Sequence, residues 1–429
     1  KTWDCPCHGS RFDFKGKNLY DPAFKDLDSY GRSAIMYAAL GGHTDAVRLL
    51  LDAGESPFFV DDMGKSVLMF AAESGNAETI QVLLDKRADA AALDKNGVSV
   101  ISYAVQSNSV PAVEKILSQS VDVYVADQNG YQPITYAFKN GNKEIADLLR
   151  VRYESCRLQT KDTGRSLPMF AIDGGNSDLI RKMVSMGPSW SNAKDNNGQS
   201  FTMLMAAFGR PDAYRDLLSK RADASTHDND GKTVLMYAAE NESGVNLITT
   251  PKQFIDSSID TKDNKGKTAM MYALDGPHNL AIKVQTLLKA GSNANMEDNE
   301  GKTVLMYAVG NMHNRVDAQA IKELLRANAT INRRDKAGRS PLMYAAGSPY
   351  AGVGIIDILL QAQANVKVKD NNGKTLLMYA AQGGDINKFK LLLEAGAVTG
   401  GQTTDGKTVQ DFADENGPCF ANAVRELLK

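Results

Sequence analysis

Cysteine is scarce in this sequence, with four in 429 residues. That number cannot staple so long a chain into a disulfide framework, and it points to a reducing compartment. Cys156 and Cys419 stand alone and read as buried, inert thiols. Only Cys5 and Cys7 lie together, beside His8. An excess of one charge is missing too: 49 Lys and Arg stand against 51 Asp and Glu. A nucleic-acid domain is usually basic, so no nucleic-acid partner is expected. Unbroken apolar runs are also wanting. The uncharged stretch 340–356 is interrupted by Pro341 and Pro349, which makes a poor bilayer span. No signal-peptide core stands near the first residue, so a cytoplasmic protein without a membrane partner is expected. That first residue is Lys1 rather than Met, which reads as a chain cut, processed or recorded as a fragment.

What the sequence does have is repetition. A phrase reading Asp-x-x-Gly-Lys-Thr-Val-Leu-Met-Tyr-Ala-Ala at residues 228–239 returns along the chain. Its glycines are Gly31, Gly64, Gly97, Gly130, Gly164, Gly198, Gly231, Gly266, Gly301, Gly338, Gly373 and Gly406. Spacings of 33 to 37 residues between them mean a repeat array. Each copy explains itself. Asp-x-x-Gly is a turn whose glycine takes a positive φ. Two residues on, Ser or Thr is positioned to cap a helix. An aromatic and an Ala follow six and seven residues past the glycine, as in Tyr237-Ala238, and the small Ala admits a second helix. That helix carries apolar residues at helical spacing, as in Val47, Leu50 and Leu51. It often ends in a glycine, as at Ala290-Gly291.

The phrase resembles the ankyrin repeat, with Ser/Thr-x-Leu-Met-Tyr-Ala standing where that family has T-P-L-H-x-A. Methionine takes the His position in nine copies, among them Met69, Met236 and Met378, and reads as filler of a core seam. The resemblance implies an all-α repeat protein: an ankyrin solenoid of about twelve helix-turn-helix repeats with β-hairpin-like fingers, preceded by a short non-repeat segment. The array would run over 28–429, with copies starting near 28, 61, 94, 127, 161, 195, 228, 263, 298, 335, 370 and 403. Neighbouring repeats must stack to bury their apolar faces. At roughly 10 Å per helix layer, twelve layers give a curved rod of about 120 Å with no separate domains inside it.

The array departs from its own pattern in places. The copies at Gly231, Gly266, Gly301 and Gly338 run 35 to 37 residues, with extra residues between their helices at 242–251, 276–280, 310–317 and 347–354. This ridge reads either as a binding edge or as drift at tolerant loops. Early fingers carry Phe58, Phe59, Met63, Tyr124, Tyr131 and Trp190, and Trp190 stands where other copies place Asp or Asn. These are candidate partner-binding residues, with packing between fingers as the alternative. Later fingers are basic, with Arg333, Arg334, Lys336, Arg339, Lys367 and Lys369. They suit an acidic partner or simply a solvated face. Register breaks over 150–161, and the copy at Gly198 looks shifted, with Met205 or Ala206 where Ala is expected.

Two apparent motifs fail. Residues 401–408 match the phosphate-loop pattern G-x-x-x-x-G-K-[ST], but Gly-Lys-Thr is the repeat's own turn and cap, and Asp405 would face the phosphates. Asp228-Asn229-Asp230-Gly231 lacks the calcium-loop residues on either side, which are Thr226 and Tyr237. No catalytic constellation appears, so a non-enzymatic scaffold that binds a protein partner through fingers and concave face is expected.

The first 27 residues stand outside the repeat. Cys5-Pro6-Cys7-His8-Gly9-Ser10 has Cys-x-x-His ligand spacing. It resembles the second half of a Rieske iron–sulfur domain, a likeness that continues through Gly16 and Asp21-Pro22-Ala23. The resemblance implies Cys5 and His8 as iron ligands of a 2Fe-2S cluster. Such a cluster needs two Cys and two His, and no Cys-x-His pair occurs elsewhere in the chain. The alternative function is therefore a truncated fusion of an electron-transfer domain with the scaffold; a decayed relic beside a working array, or an artefactual join or unrelated half-site, are the other readings of this segment. In the sequence as it stands no cofactor is expected.

Overall fold

A computed structural model describes residues 2–4, 11–13, 27–150, 159–185, 193–208, 226–241, 259–276, 280–310 and 317–429. Outside the repeats, Thr2–Asp4 and Arg11–Asp13 pair as antiparallel strands, with Trp3 opposite Phe12. The rest of the described chain is helical pairs and turns, divided into two compact units, Lys1–Asn196 and Asn197–Lys429.

In the first unit the leading helices Ala34–Leu40, Val67–Ser74, Val100–Gln106, Pro133–Lys139 and Leu167–Asp173 pack each on the next. Their companions, beginning with Thr44–Asp52 and Ala77–Asp85, form a second layer against them. In the second unit the leading helices are Phe201–Ala207, Val234–Glu240, Ala269–Asp275, Val304–Gly310, Pro341–Gly347, Leu376–Gly383 and Val409–Asp414, again packed in sequence. Leading helices are apolar on nearly every side, because they are covered by a neighbour on both flanks and by their own second helix. Val67 through Ala72 are all at most 1% exposed. Second helices bury a single stripe, as Ala320, Ile321 and Leu324 do in Ala318–Arg326. This is the layering expected of an all-α repeat solenoid.

Turn and cap chemistry follows the sequence closely. All twelve turn glycines have φ between 66° and 86°. At Gly266 the need for glycine is also steric, since a Cβ there would lie 2.5 Å from the backbone nitrogen of Asn299 in the next turn. Successive turns are tied by backbone hydrogen bonds: Asn264 N–H donates to Asp230 O, Asn299 to Lys265 O, and Asn371 to Ala337 O. The hydroxyls of Ser66, Ser99, Ser200, Thr233, Ser340, Thr375 and Thr408 accept from the backbone N–H three residues on. Ser33, Ser166 and Thr268 occupy the same place without such a bond.

The methionines do more than fill a seam. They are at most 1% exposed, and seven of them aim the thioether back at the capping residue's N–H. Ser66 N–H lies 3.3 Å from Met69 Sδ, Thr233 N–H 3.4 Å from Met236 Sδ and Thr375 N–H 3.3 Å from Met378 Sδ. Sulfur is a weak acceptor, but it satisfies an amide that water cannot reach.

The copy at Gly198 keeps register, since Ser200 caps Met203 as in its neighbours. Leu204 takes the ring position, and Met205 and Ala206 are both fully buried. Cys419 is an exposed thiol, not a buried one, because it lies on the outer side of Pro418–Leu427, whose buried residues are Ala421 and Val424. The fingers are held at their bases by isolated antiparallel bridges such as Leu93 with Ser99 and Glu297 with Thr303. The break at 151–158 and most of the inserted ridge lie outside the described residues.

Candidate functional site

Each turn aspartate works with both carboxylate oxygens. Asp263 Oδ1 accepts from the N–H groups of Lys265 (2.9 Å) and Lys267 (2.7 Å), which closes the turn. Oδ2 accepts from the phenol of Tyr272 at 2.7 Å. The nine-residue return recurs in eight copies, from Asp28 with Tyr37 to Asp370 with Tyr379. Burial, and then the facing carboxylate, pushes the phenols of Tyr272 and Tyr307 above the ordinary tyrosine range.

In several copies the residue after the turn glycine is a cation that threads these rings together. Lys232 Nζ lies 5.1 Å from the Tyr237 ring centre of its own copy and 4.3 Å from Tyr272 of the next. Lys267 bridges Tyr272 and Tyr307, and Lys302 bridges Tyr307 (3.9 Å) and Tyr344 (5.2 Å). Lys374 bridges Tyr379 and Phe412. Cation and ring thus alternate from Tyr237 to Tyr344 and again from Tyr379 to Phe412, and Lys65 between Phe70 and Tyr103 does the same in the first unit.

The fingers of the first unit expose apolar side chains. Phe58 is 61% exposed, Phe59 40% and Tyr124 48%. Tyr30, Val60, Met63 and Leu93 are exposed beside them in the same series of fingers. Tyr131 belongs elsewhere. It takes the place after the turn glycine, with its ring centre 5.5 Å from Phe170 and 5.6 Å from Tyr136, half-buried in the ring series. Trp190, Cys5 and His8 lie outside the described residues.

The basic fingers are partly engaged already. Arg333 forks onto Glu297 of the preceding finger at 2.5 and 3.1 Å. Arg334 donates to Gly338 O and to Lys369 O of the following copy, at 2.8 and 2.6 Å. Among the described residues no three His, Cys, Asp or Glu gather as metal ligands, and no helix is long and apolar enough to cross a membrane.

Comparison with known families agrees with this geometry. The family described as "Ankyrin repeats (3 copies)" matches residues 14–94, 168–255 and overlapping windows from 202 to 429. "Ankyrin repeats (many copies)" matches 101–150. The chain belongs to the ankyrin-repeat family. Ankyrin repeats indicate a protein–protein interaction scaffold, and the family is generally non-enzymatic. Among curated proteins the chain is 29% identical over 104 residues to the E3 ubiquitin-protein ligase hecd-1 of Caenorhabditis elegans. That match covers 23% of this chain and 4% of the ligase, so the chain spans only a small part of that relative's length.

Sequence reasoning missed Tyr30, Val60 and Leu93, although apolar residues at tip positions were the available signal. It also missed the Asp–Tyr return, which no local pattern announces.

Proposed function

We propose that this ankyrin array holds a protein partner through the fingers of its first unit. The observation that carries the reading is the exposed apolar series Tyr30, Phe58, Phe59, Met63, Leu93 and Tyr124, spread over consecutive fingers. Singly exposed apolar residues are ordinary, but a contiguous set marks an interaction site. Aromatic side chains offer large contact area at low entropic cost, as anchors at interfaces do. A partner laid across several fingers buries all of them together, which no single repeat could achieve. Trp190 and, in the second unit, Arg333 and Arg334 are further candidate partner contacts in this reading.

The test is capture of partner from native lysate by wild type and by Phe58→Ala/Phe59→Ala. The expected outcome is a loss of at least tenfold in captured partner. Melting temperature should shift by less than about 2 °C, because exposed side chains contribute little to stability. Equal capture by both proteins would remove the finger surface from the account.

A second reading rests on the strand pair Thr2–Asp4 and Arg11–Asp13, which flanks in sequence Cys5 and His8, the two residues that the Rieske resemblance implies as iron ligands. Two ligands do not complete a cluster, so no electron-transfer step is derived from them. Iron analysis of a chain extended upstream of Lys1 tests this reading. Two irons per chain would support it, and none would end it.

A further inference from the structure

Most of the threading cations are neutralised from within their own repeat, eight residues on. Lys232 pairs with Glu240 at 2.9 Å, Lys267 with Asp275 at 2.6 Å and Lys407 with Glu415 at 2.8 Å. Lys65 with Glu73 and Arg165 with Asp173 repeat the arrangement in the first unit. Lys374 meets the amide oxygen of Gln382 there, and Arg32, with Leu40 in that place, turns to Asp61.

Two neighbouring copies break the rule together. Eight residues past Lys302 stands Gly310, and eight past Arg339 stands Gly347. Neither glycine has a positive φ, so neither is required by the backbone. In place of the missing carboxylates there is a cavity of about 250 Å³, lined by Lys302, Arg339, Gly310, Gly347, Tyr344 and Tyr379. Arg339 gives its Nε to Asp335, whose same oxygen also accepts the Tyr344 phenol. Among the described residues Lys302 Nζ has no carboxylate within ion-pair distance, and it sits between two rings. Burial, reinforced by Lys267 and Arg339 nearby, holds its ammonium below the ordinary lysine range although Asp275 and Asp298 oppose this. A half-buried cation in that state gains from an incoming anion more than an exposed one does.

We propose that the Lys302–Arg339 cavity receives an Asp or Glu side chain from an acidic segment of a protein partner, which fills the place that Glu240 and Asp275 fill from within their own repeats. In five copies the chain itself fills this slot with a carboxylate, and in the Lys374 copy with an amide oxygen. The inference rests on the scaffold reading but not on the finger surface of the first unit.

The probe is fluorescein-labelled hexaglutamate, read by anisotropy on the full chain at about 150 mM salt. Wild type should bind it saturably. Lys302→Met should weaken binding at least tenfold. Gly347→Asp should do the same by supplying an internal carboxylate to Arg339. A Cβ at Gly347 would be 3.4 Å from the Tyr379 ring, an ordinary contact, so this variant keeps the fold. Phe58→Ala/Phe59→Ala should bind as wild type does, which separates failure here from failure of the finger reading. Equal binding by all four proteins would overturn the proposal, as would no binding by wild type. Displacement of the peptide by inorganic phosphate but not by glutarate would overturn it too, since the slot would then be a phosphate site.

Discussion

At the scale of the residue, the turn aspartate and its tyrosine show how a short motif becomes a tertiary bond. Asp263 satisfies two amides and a buried phenol at once. Where the turn residue changes, the ring changes with it: Thr403 stands with Phe412 and Thr160 with Phe170, and neither ring carries a hydroxyl. Tyr272→Phe should therefore cost about 1–2 kcal/mol, because a buried carboxylate oxygen loses a donor. Denaturant titration measures this, and an unchanged midpoint would contradict it. Glu55 is a second case. It is 7% exposed and its carboxylate faces the Ile35 N–H at 3.3 Å, while burial pushes its pKa up to about 7. The unfolded chain releases that proton near 4.5 and the folded chain only near 7, so stability falls as pH rises through this window. The loss is at most roughly 3 kcal/mol. Glu55→Gln should flatten the pH dependence between those values, as melting curves at successive pH would show. The ring and the aspartate were both legible in the sequence as a conserved spacing within the chain. Their bond was not, because nine residues of turn and helix must fold before the two groups meet.

At the scale of the element, the leading helices are mostly seven or eight residues long, far too short to persist alone in water. They depend on their caps and on burial. Asp298→Ala removes acceptors from the Glu300 and Lys302 amides and from Tyr307. It should cost about 2–4 kcal/mol, and hydrogen exchange should rise first in Val304–Gly310. Exchange unchanged in that helix would refute the assignment. Helix positions and caps were readable from Gly-x-Ser/Thr alone, since φ > 0 and a hydroxyl leave few alternatives. The methionine seam was read correctly as core. The thioether contact to the cap N–H was hidden, because sulfur at the third helical position becomes an acceptor only once the helix has formed.

At the scale of the whole molecule, each repeat is stabilised chiefly by the next, so damage should stay local. Phe389 is fully buried in Ile386–Glu394. Phe389→Ala should cost about 3–5 kcal/mol and loosen the adjoining helices through Pro418–Leu427. The exchange of Ala34–Leu40 and Val67–Ser74 should not change. Uniform loosening along the chain would argue against nearest-neighbour behaviour. The architecture was legible here because one phrase recurs twelve times and errors in single copies average out. Surface roles were less so. Phe58 and Tyr131 look alike in sequence, yet one projects from a finger and the other replaces a cation between rings.

The tie between successive turns, one N–H to one carbonyl at the same place in each turn, makes the repeat a unit of inheritance as well as of structure. Duplicating the segment from one turn glycine to the next copies donor, acceptor, ring and cation together. The newborn copy then meets its neighbours with every partner in place. A chain built this way can lengthen by a single recombination event without first passing through an unfolded ancestor. The unequal copies, with glycine where other copies place a carboxylate, show where a repeat can depart from the shared pattern.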